Sequence, residues 1–197
     1  MKVFDHLPTA AHDKVKSLLT LYPINLKVVK KRKTKHGDFR KSSSGQPQIT
    51  INENDNPYRF LITLLHELAH HVAYLDCGFN IRPHGKEWKR SFLQLSAPFL
   101  VNEIFPQPLL TVFAQYLKNP KASSDTDQIL GLALKPYDPP TDKKAIFEIS
   151  RGSLFQLEDN RVFRKGEKRR KRFICREIET NRDYLFQPNA EVKLFEE

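Results

Sequence analysis

The chain has 197 residues, 39% of them hydrophobic and 11% aromatic, with a formal net charge of +10. That composition can bury a sizeable core, and it excludes a low-complexity or collagen-like chain. Two cysteines exclude a disulfide framework, no apolar run reaches the ~18 residues of a membrane span, and the opening MKVFDHLPTAAHDK lacks the apolar region of a signal peptide, so the sequence reads as cytoplasmic.

In chain order, TAAHDKVKSLLTL at 9–21 predicts a first helix. Thr9 is its cap, Val15, Leu18 and Leu19 recur at helical spacing, and Pro23 stops it. INLKVVKK, from Ile24, alternates and predicts a strand; KHGD reads as a turn, and QPQITIN at 46–52 as the next strand. Asn52 to Pro57 breaks the pattern before a long helix. Residues 85–97 and 107–118 predict two more helices, and SSDTDQILGLAL a short one with a Ser or Asp cap. KPYDPP is a Pro-rich boundary. Beyond it AIFEI, SLFQLE, RVFRK, KRFICREI, DYLF and EVKLF predict short strands. The expected fold class is α+β, with a mixed helical domain at 1–136 and a small β-rich appendage at 141–197.

The charge is concentrated. Residues 27–41, KVVKKRKTKHGDFRK, carry eight Lys or Arg and one acid; residues 161–176, RVFRKGEKRRKRFICR, carry nine and one acid. Two basic stretches on an otherwise mildly acidic chain point to a polyanion partner, DNA or another nucleic acid. In the second stretch the expected contacts are Arg161, Arg164, Lys165, Lys168, Arg169, Arg170, Lys171 and Arg172.

Four of the seven histidines fall in HELAHHVAYLDCGFNIRPHGKEW, residues 66–88. At ~100° per residue, Leu61, Leu64, Leu65, Leu68, Val72 and Leu75 form one apolar stripe of the long helix. His66 and His70 stand one turn apart on another face, about 6 Å along the axis, which is the H-E-x-x-H spacing for zinc. Glu67 lies beside them, off the ligand line, where it can take a proton from water. His71 lies off the ligand face.

A catalytic zinc takes three protein ligands and leaves one position open. Cys77 lies ~10 Å up the helix from His70, too far to share the ion. Asp76 stands where another zincin class has its third ligand, but that class needs glycine at position 73, which here is Ala73. Glu87 suits a class that uses a helical glutamate. His84 is favoured over it, because Gly78 can end the helix, FNIRP can return the chain, and Pro83-His84-Gly85 can present the imidazole. Glu87 is then a hydrogen-bond partner for a ligand histidine, and Trp88 a core residue.

His66-Glu67-Leu68-Ala69-His70 followed by Pro83-His84-Gly85-Lys86-Glu87-Trp88 resembles the SprT family, which includes the Spartan proteases, over about residues 10–95. The resemblance implies a zincin-like, minigluzincin core, with His66, His70 and His84 as ligands of one catalytic Zn2+ and Glu67 as the catalytic glutamate. It also implies protein substrates, since Spartan members degrade proteins crosslinked to DNA. Many relatives end in a zinc ribbon with two cysteine pairs. From Phe155 to Leu185 this chain resembles the ribbon's strands and basic hairpin. Only Cys175 stands at a ribbon position; Ile178 replaces its partner, and no pair occurs near residue 150. A metal-free relic is expected, cored by Phe147, Phe155, Leu157, Phe163, Phe173, Ile174, Tyr184 and Phe186.

Three functions fit this reading: a zinc metallopeptidase recruited to nucleic acid, a nucleic-acid-binding or transcription-associated factor with a non-proteolytic zinc site, and a zinc hydrolase of small substrates. An intact Glu67 argues for the first, because a structural site has no use for a general base.

Overall fold

The computed structural model describes residues 3–32, 35–41, 45–78, 81–121 and 127–195. The chain divides into two compact units, one of Met1–Ala122 with Leu132–Pro139 and one of Ser123–Gly131 with Pro140–Glu197. Both α-helices and β-sheets are present, so the fold is α+β. Among the described residues no helix is long and apolar enough to cross a membrane.

The first unit opens with two short 3-10 turns, Phe4–His6 and Thr9–Ala11, the second running into α1, His12–Leu21. β1 (Asn25–Val29), β2 (Gly37–Lys41) and β3 (Pro47–Asn52) make a sheet of order β1-β3-β2. β1 runs parallel to β3 and β2 antiparallel to it, so β2 is an edge. β3 is buried along almost its whole length, and its polar Thr50 and Asn52 are satisfied by one arginine. Arg32 donates to Asn52 Oδ1 at 2.7 Å and to Thr50 Oγ1 at 3.0 Å, while Asn52 Nδ2 donates to the Lys35 carbonyl at 2.7 Å. Arg32 therefore serves the fold rather than a solvated basic surface. Lys33 of the same stretch lies outside the described residues.

β2 corrects the reading of KHGD as a turn. Gly37 and Asp38 are already in the strand, paired with Ile51 and Thr50. A glycine in this position suggests turn chemistry, yet Gly37 is absent from the glycines of positive φ.

α2, Pro57–Cys77, has Asn56 as its cap and Pro57 in its first turn, where a missing N–H costs nothing. Asn56 Oδ1 accepts from the amides of Tyr58 and Arg59, each at 3.1 Å. The stripe Leu61, Leu64, Leu65, Leu68 and Val72 is buried as expected, together with Phe60, Ile62, Ala69 and Ala73. Leu75 is not: it is 55% exposed, in a last turn whose neighbours Asp76 and Cys77 are exposed too. Gly78, at φ 73°, ends the helix as predicted. Part of the FNIRP return, Phe79 and Asn80, lies outside the described residues.

α3 (Lys86–Ser96) packs on α2, and α4 (Leu109–Tyr116) adds Phe113 to an aromatic core with Phe92 and Phe105. Phe99, Ile104, Phe105, Leu109, Phe113 and Leu117, in a segment that carries no motif, therefore belong to the core of this unit. Asn56 Nδ2 also donates to the Leu134 carbonyl at 2.9 Å and to Asp138 at 2.7 Å. α5, Gln128–Leu134, begins at Asp127, whose Oδ1 accepts from the Leu130 amide, matching the expected Asp cap.

The second unit is an antiparallel sheet of order β4-β9-β5-β6-β7-β8. Its strands are β4 (Lys143–Ala145), β5 (Leu154–Gln156), β6 (Val162–Arg169), β7 (Arg172–Glu177), β8 (Asp183–Phe186) and β9 (Glu191–Leu194). Its core is Ile146, Ile149, Phe155, Phe163, Cys175 and Val192, flanked by Leu157, Phe173, Tyr184 and Phe186. AIFEI is not a strand. Ile146–Glu148 is a 3-10 turn, whose period of three turns Ile146 and Ile149 inward and leaves Phe147 half-buried.

Candidate metal centre

α2 presents His66 and His70 from one face, and a tight turn before α3 brings His84 over them. Gly85 N–H closes that turn on the Arg82 carbonyl at 2.8 Å. His84 takes φ 57°, a left-handed conformation that side chains rarely adopt without cause. A Cβ on Gly85 would stand 2.8 Å from the Arg82 carbonyl oxygen, so the turn depends on that glycine.

The three ε nitrogens converge. His84 Nε2 lies 3.1 Å from His66 Nε2 and 3.0 Å from His70 Nε2. Among the described residues this is the one cluster of three or more His, Cys, Asp or Glu side chains placed to hold a metal ion. Glu87, Asp76 and Cys77 do not join it. Burial lowers the proton affinity of all three imidazoles, to about 4 for His70 and lower for His66, and neighbouring imidazoles lower those two further. Neutral imidazoles whose ε nitrogens converge in this way could hold a metal ion.

Trp88 is the floor of the cluster. Fully buried, it sets its ring 4.7 Å from that of His66, 5.5 Å from His70 and 4.8 Å from His84, and stacks on Phe92. His71 points elsewhere, toward Phe39 and the Pro23 carbonyl without closing a well-formed hydrogen bond.

Glu67 is buried against β2. Burial pushes its carboxyl up to about 8, and Asp38 adds to this, while the Phe39 backbone amide hydrogen-bonds it and Arg32 and Lys35 act in the opposite sense. Sequence reasoning alone misses Gly37 and Phe39 as companions of Glu67. The available signal is the alternation Gly37, Phe39, Lys41 against Asp38 and Arg40, which a turn at KHGD conceals.

The basic residues expected to act together separate in the second unit. Arg164, Lys168, Arg169, Arg170, Lys171 and Arg172 are exposed along β6, β7 and the two-residue connection between them, where Arg170 takes φ 55°. Lys165 does not join them. It is 6% exposed, its ammonium donates to the Ile149 carbonyl, and it lies 4.3 Å from the centre of the Phe173 ring. Arg161 is engaged by Asp159 at 2.8 Å and Glu177 at 3.6 Å.

A family model described as the SprT-like family matches residues 10–106, the segment that carries β2, α2, the three histidines and Glu67. No curated protein and no solved structure matches the chain.

Proposed function

Residues 10–106 belong to the SprT-like family, and from that premise we propose that the chain is a zinc-dependent metallopeptidase with a zincin-like fold, acting on proteins associated with nucleic acid. The observation that carries the proposal is the convergence of His66, His70 and His84 beside a buried glutamate.

The donor set fits zinc. Two nitrogen ligands of a tetrahedral zinc at ~2.0–2.1 Å stand about 3.3 Å apart, close to the 3.0 and 3.1 Å between these nitrogens. Three imidazoles leave one tetrahedral position for water or substrate. Zinc held there would supply Lewis acidity, polarising a scissile carbonyl and acidifying water. Glu67 supplies the proton transfers. As the carboxylate, it takes the proton from water, becomes the neutral acid, and delivers that proton to the leaving amine. β2 supports a peptide substrate, because it is a sheet edge on which an extended chain can add main-chain hydrogen bonds. The exposed charge of the β6–β7 hairpin supports a phosphate-backbone partner.

The test is incubation of zinc-loaded protein with a DNA-binding protein, with and without DNA, alongside Glu67→Gln. Cleavage by the wild type, accelerated by DNA and lost in Glu67→Gln with zinc retained, is the expected result. Zinc uptake without cleavage of DNA-bound or denatured substrate would replace the peptidase with a nucleic-acid-binding factor.

A further inference from the structure

We propose that the Gly37–Phe39 stretch of β2 is the positioning element of Glu67, and that Gly37 is glycine because the catalytic carboxylate occupies its side-chain space. The inference rests on the peptidase reading above and adds residues outside the H-E-x-x-H motif to the reaction.

A Cβ built on Gly37 would stand 2.5 Å from Glu67 Oε1, 2.6 Å from its Cγ and 2.8 Å from its Cδ. No real Cβ makes such contacts, and all three atoms belong to the glutamate. The backbone itself does not require glycine, since Gly37 is absent from the positive-φ positions and pairs in an ordinary antiparallel register with Ile51. In a strand an unexplained glycine marks a close approach, and here the approaching group is the general base.

Two residues on, the Phe39 amide donates to the same carboxylate. Contact at Gly37 and a hydrogen bond at Phe39 grip Glu67 from one strand. That strand is itself fixed, because Gly37 and Phe39 pair with Ile51 and Ile49, both fully buried. The Phe39 ring also lies within 4° of parallel to the ring of His70, their centres 6.5 Å apart. β2 thus registers the base against the ligand set, and does so from the edge proposed to receive the peptide. A base misplaced by about 1 Å can cost on the order of 100-fold in rate, so the grip has a kinetic consequence.

The experiment is Gly37→Ala, alone and with changes at Glu67. Zinc content should stay at about one per chain. kcat should fall ~10–100-fold while KM moves by less than about threefold, because the ligands and binding edge persist. Gly37→Ala with Glu67→Asp should be no slower than Glu67→Asp alone, since the shorter side chain withdraws from the added methyl.

Stability supplies a readout that needs no turnover. Gly37→Ala should lower the thermal midpoint of the zinc-free protein by ~5 °C when Glu67 is present, and by much less in Glu67→Ala, which lacks the three atoms nearest the added methyl. Equal destabilisation in both backgrounds, or an unchanged kcat in Gly37→Ala, would overturn the proposal. If the wild type cleaves nothing, the peptidase reading falls. The thermal cycle then decides the contact alone: coupling upholds it and additivity overturns it.

Discussion

The indole N–H of Trp88 donates to the backbone carbonyl of His66 at 3.2 Å, fastening α3 to α2 at the first of the three converging histidines. The same ring faces all three histidines within 5.5 Å. Helix packing and the arrangement of the three histidines therefore meet at one side chain, and that side chain is the only tryptophan of the sequence.

Trp88 fluorescence should consequently report metal binding without a label. Titration of the metal-free protein with Zn2+ should change its emission and saturate at about one ion per chain. Cu2+ should quench it, and a chelator should reverse both effects. Saturable zinc uptake with silent Trp88 emission would place the ion elsewhere.

Of the three converging histidines, His84 has the most demanding backbone. Its φ of 57° and the close approach of Gly85 to Arg82 hold a conformation the side chain does not prefer. His84→Ala should weaken zinc binding by more than ~100-fold, whereas Glu87→Ala should change it far less. Gly85→Ala should also weaken it, through the turn. Competition titration against a chromophoric chelator reads all three. Full affinity in His84→Ala with loss in Glu87→Ala would reassign the third ligand.

What the sequence discloses and what it hides divide along range. The α2 cap, its buried stripe and the histidine pair are legible because each is a local pattern at period 3.6. The approach of His84 to the pair is legible because glycine and proline mark a return. Leu75 continues the stripe by angle but projects from a last turn that leaves the core, and periodicity carries no information about where a partner surface ends. Gly37 misleads because a glycine tolerating a turn and a glycine accommodating another side chain look alike in sequence. Lys165 misleads because charge density does not say which lysine turns inward. It alternates with exposed Arg164 on β6, and that strand period is the available signal.

Protonation of the metal-free site should give stability a maximum near neutral pH. Burial lowers the proton affinity of His66, His70 and His84 in the folded chain. The unfolded chain takes up these protons near pH ~6.5 and the folded chain does not. Stability present above that pH is lost as pH falls toward about 4, where His70 protonates in the fold. Glu67 acts in the opposite sense. Its folded carboxyl is raised to about 8, so its contribution is present at acid pH and fades as pH rises toward that value. Glu67→Gln should flatten the alkaline limb and exceed wild-type stability at pH 8 by ~1–3 kcal/mol. Urea unfolding with chelator present measures it. An unchanged alkaline limb in Glu67→Gln would assign that titration to another group.

Asn56 ties three segments together. It is fully buried, caps α2 through two amides and donates to Leu134 and Asp138, the latter also paired with Arg59 at 2.6 Å. Asn56→Ala should cost about 2–3 kcal/mol, more than an exposed cap, since it also orphans buried groups. Asn56→Asp keeps the cap but sets a second carboxylate against Asp138, so it should recover little. Denaturant midpoints at constant m-value decide this. Full rescue by aspartate would show that the cap alone matters.

The basic hairpin yields a contrast that sequence alone could not pose. Arg169, Arg170, Lys171 and Arg172 are exposed at the β6–β7 end, while Lys165 is enclosed one bulge away. If the hairpin meets a phosphate backbone, exposed cations release counterions and the enclosed one does not. Replacing Arg169, Arg170, Lys171 and Arg172 by Ser should weaken binding to duplex DNA of unrelated sequences by a similar factor. It should also flatten the dependence of log affinity on log salt by about 3.6, nearly one for each of the four lost phosphate contacts. Lys165→Met should leave that salt slope unchanged. It should instead alter stability, because it removes a buried donor from the Ile149 carbonyl and a cation from the Phe173 ring. Fluorescence anisotropy at three salt concentrations, with urea unfolding of the same proteins, separates the two effects. Equal slopes for wild type and the fourfold Ser variant would show that the hairpin charge faces only solvent.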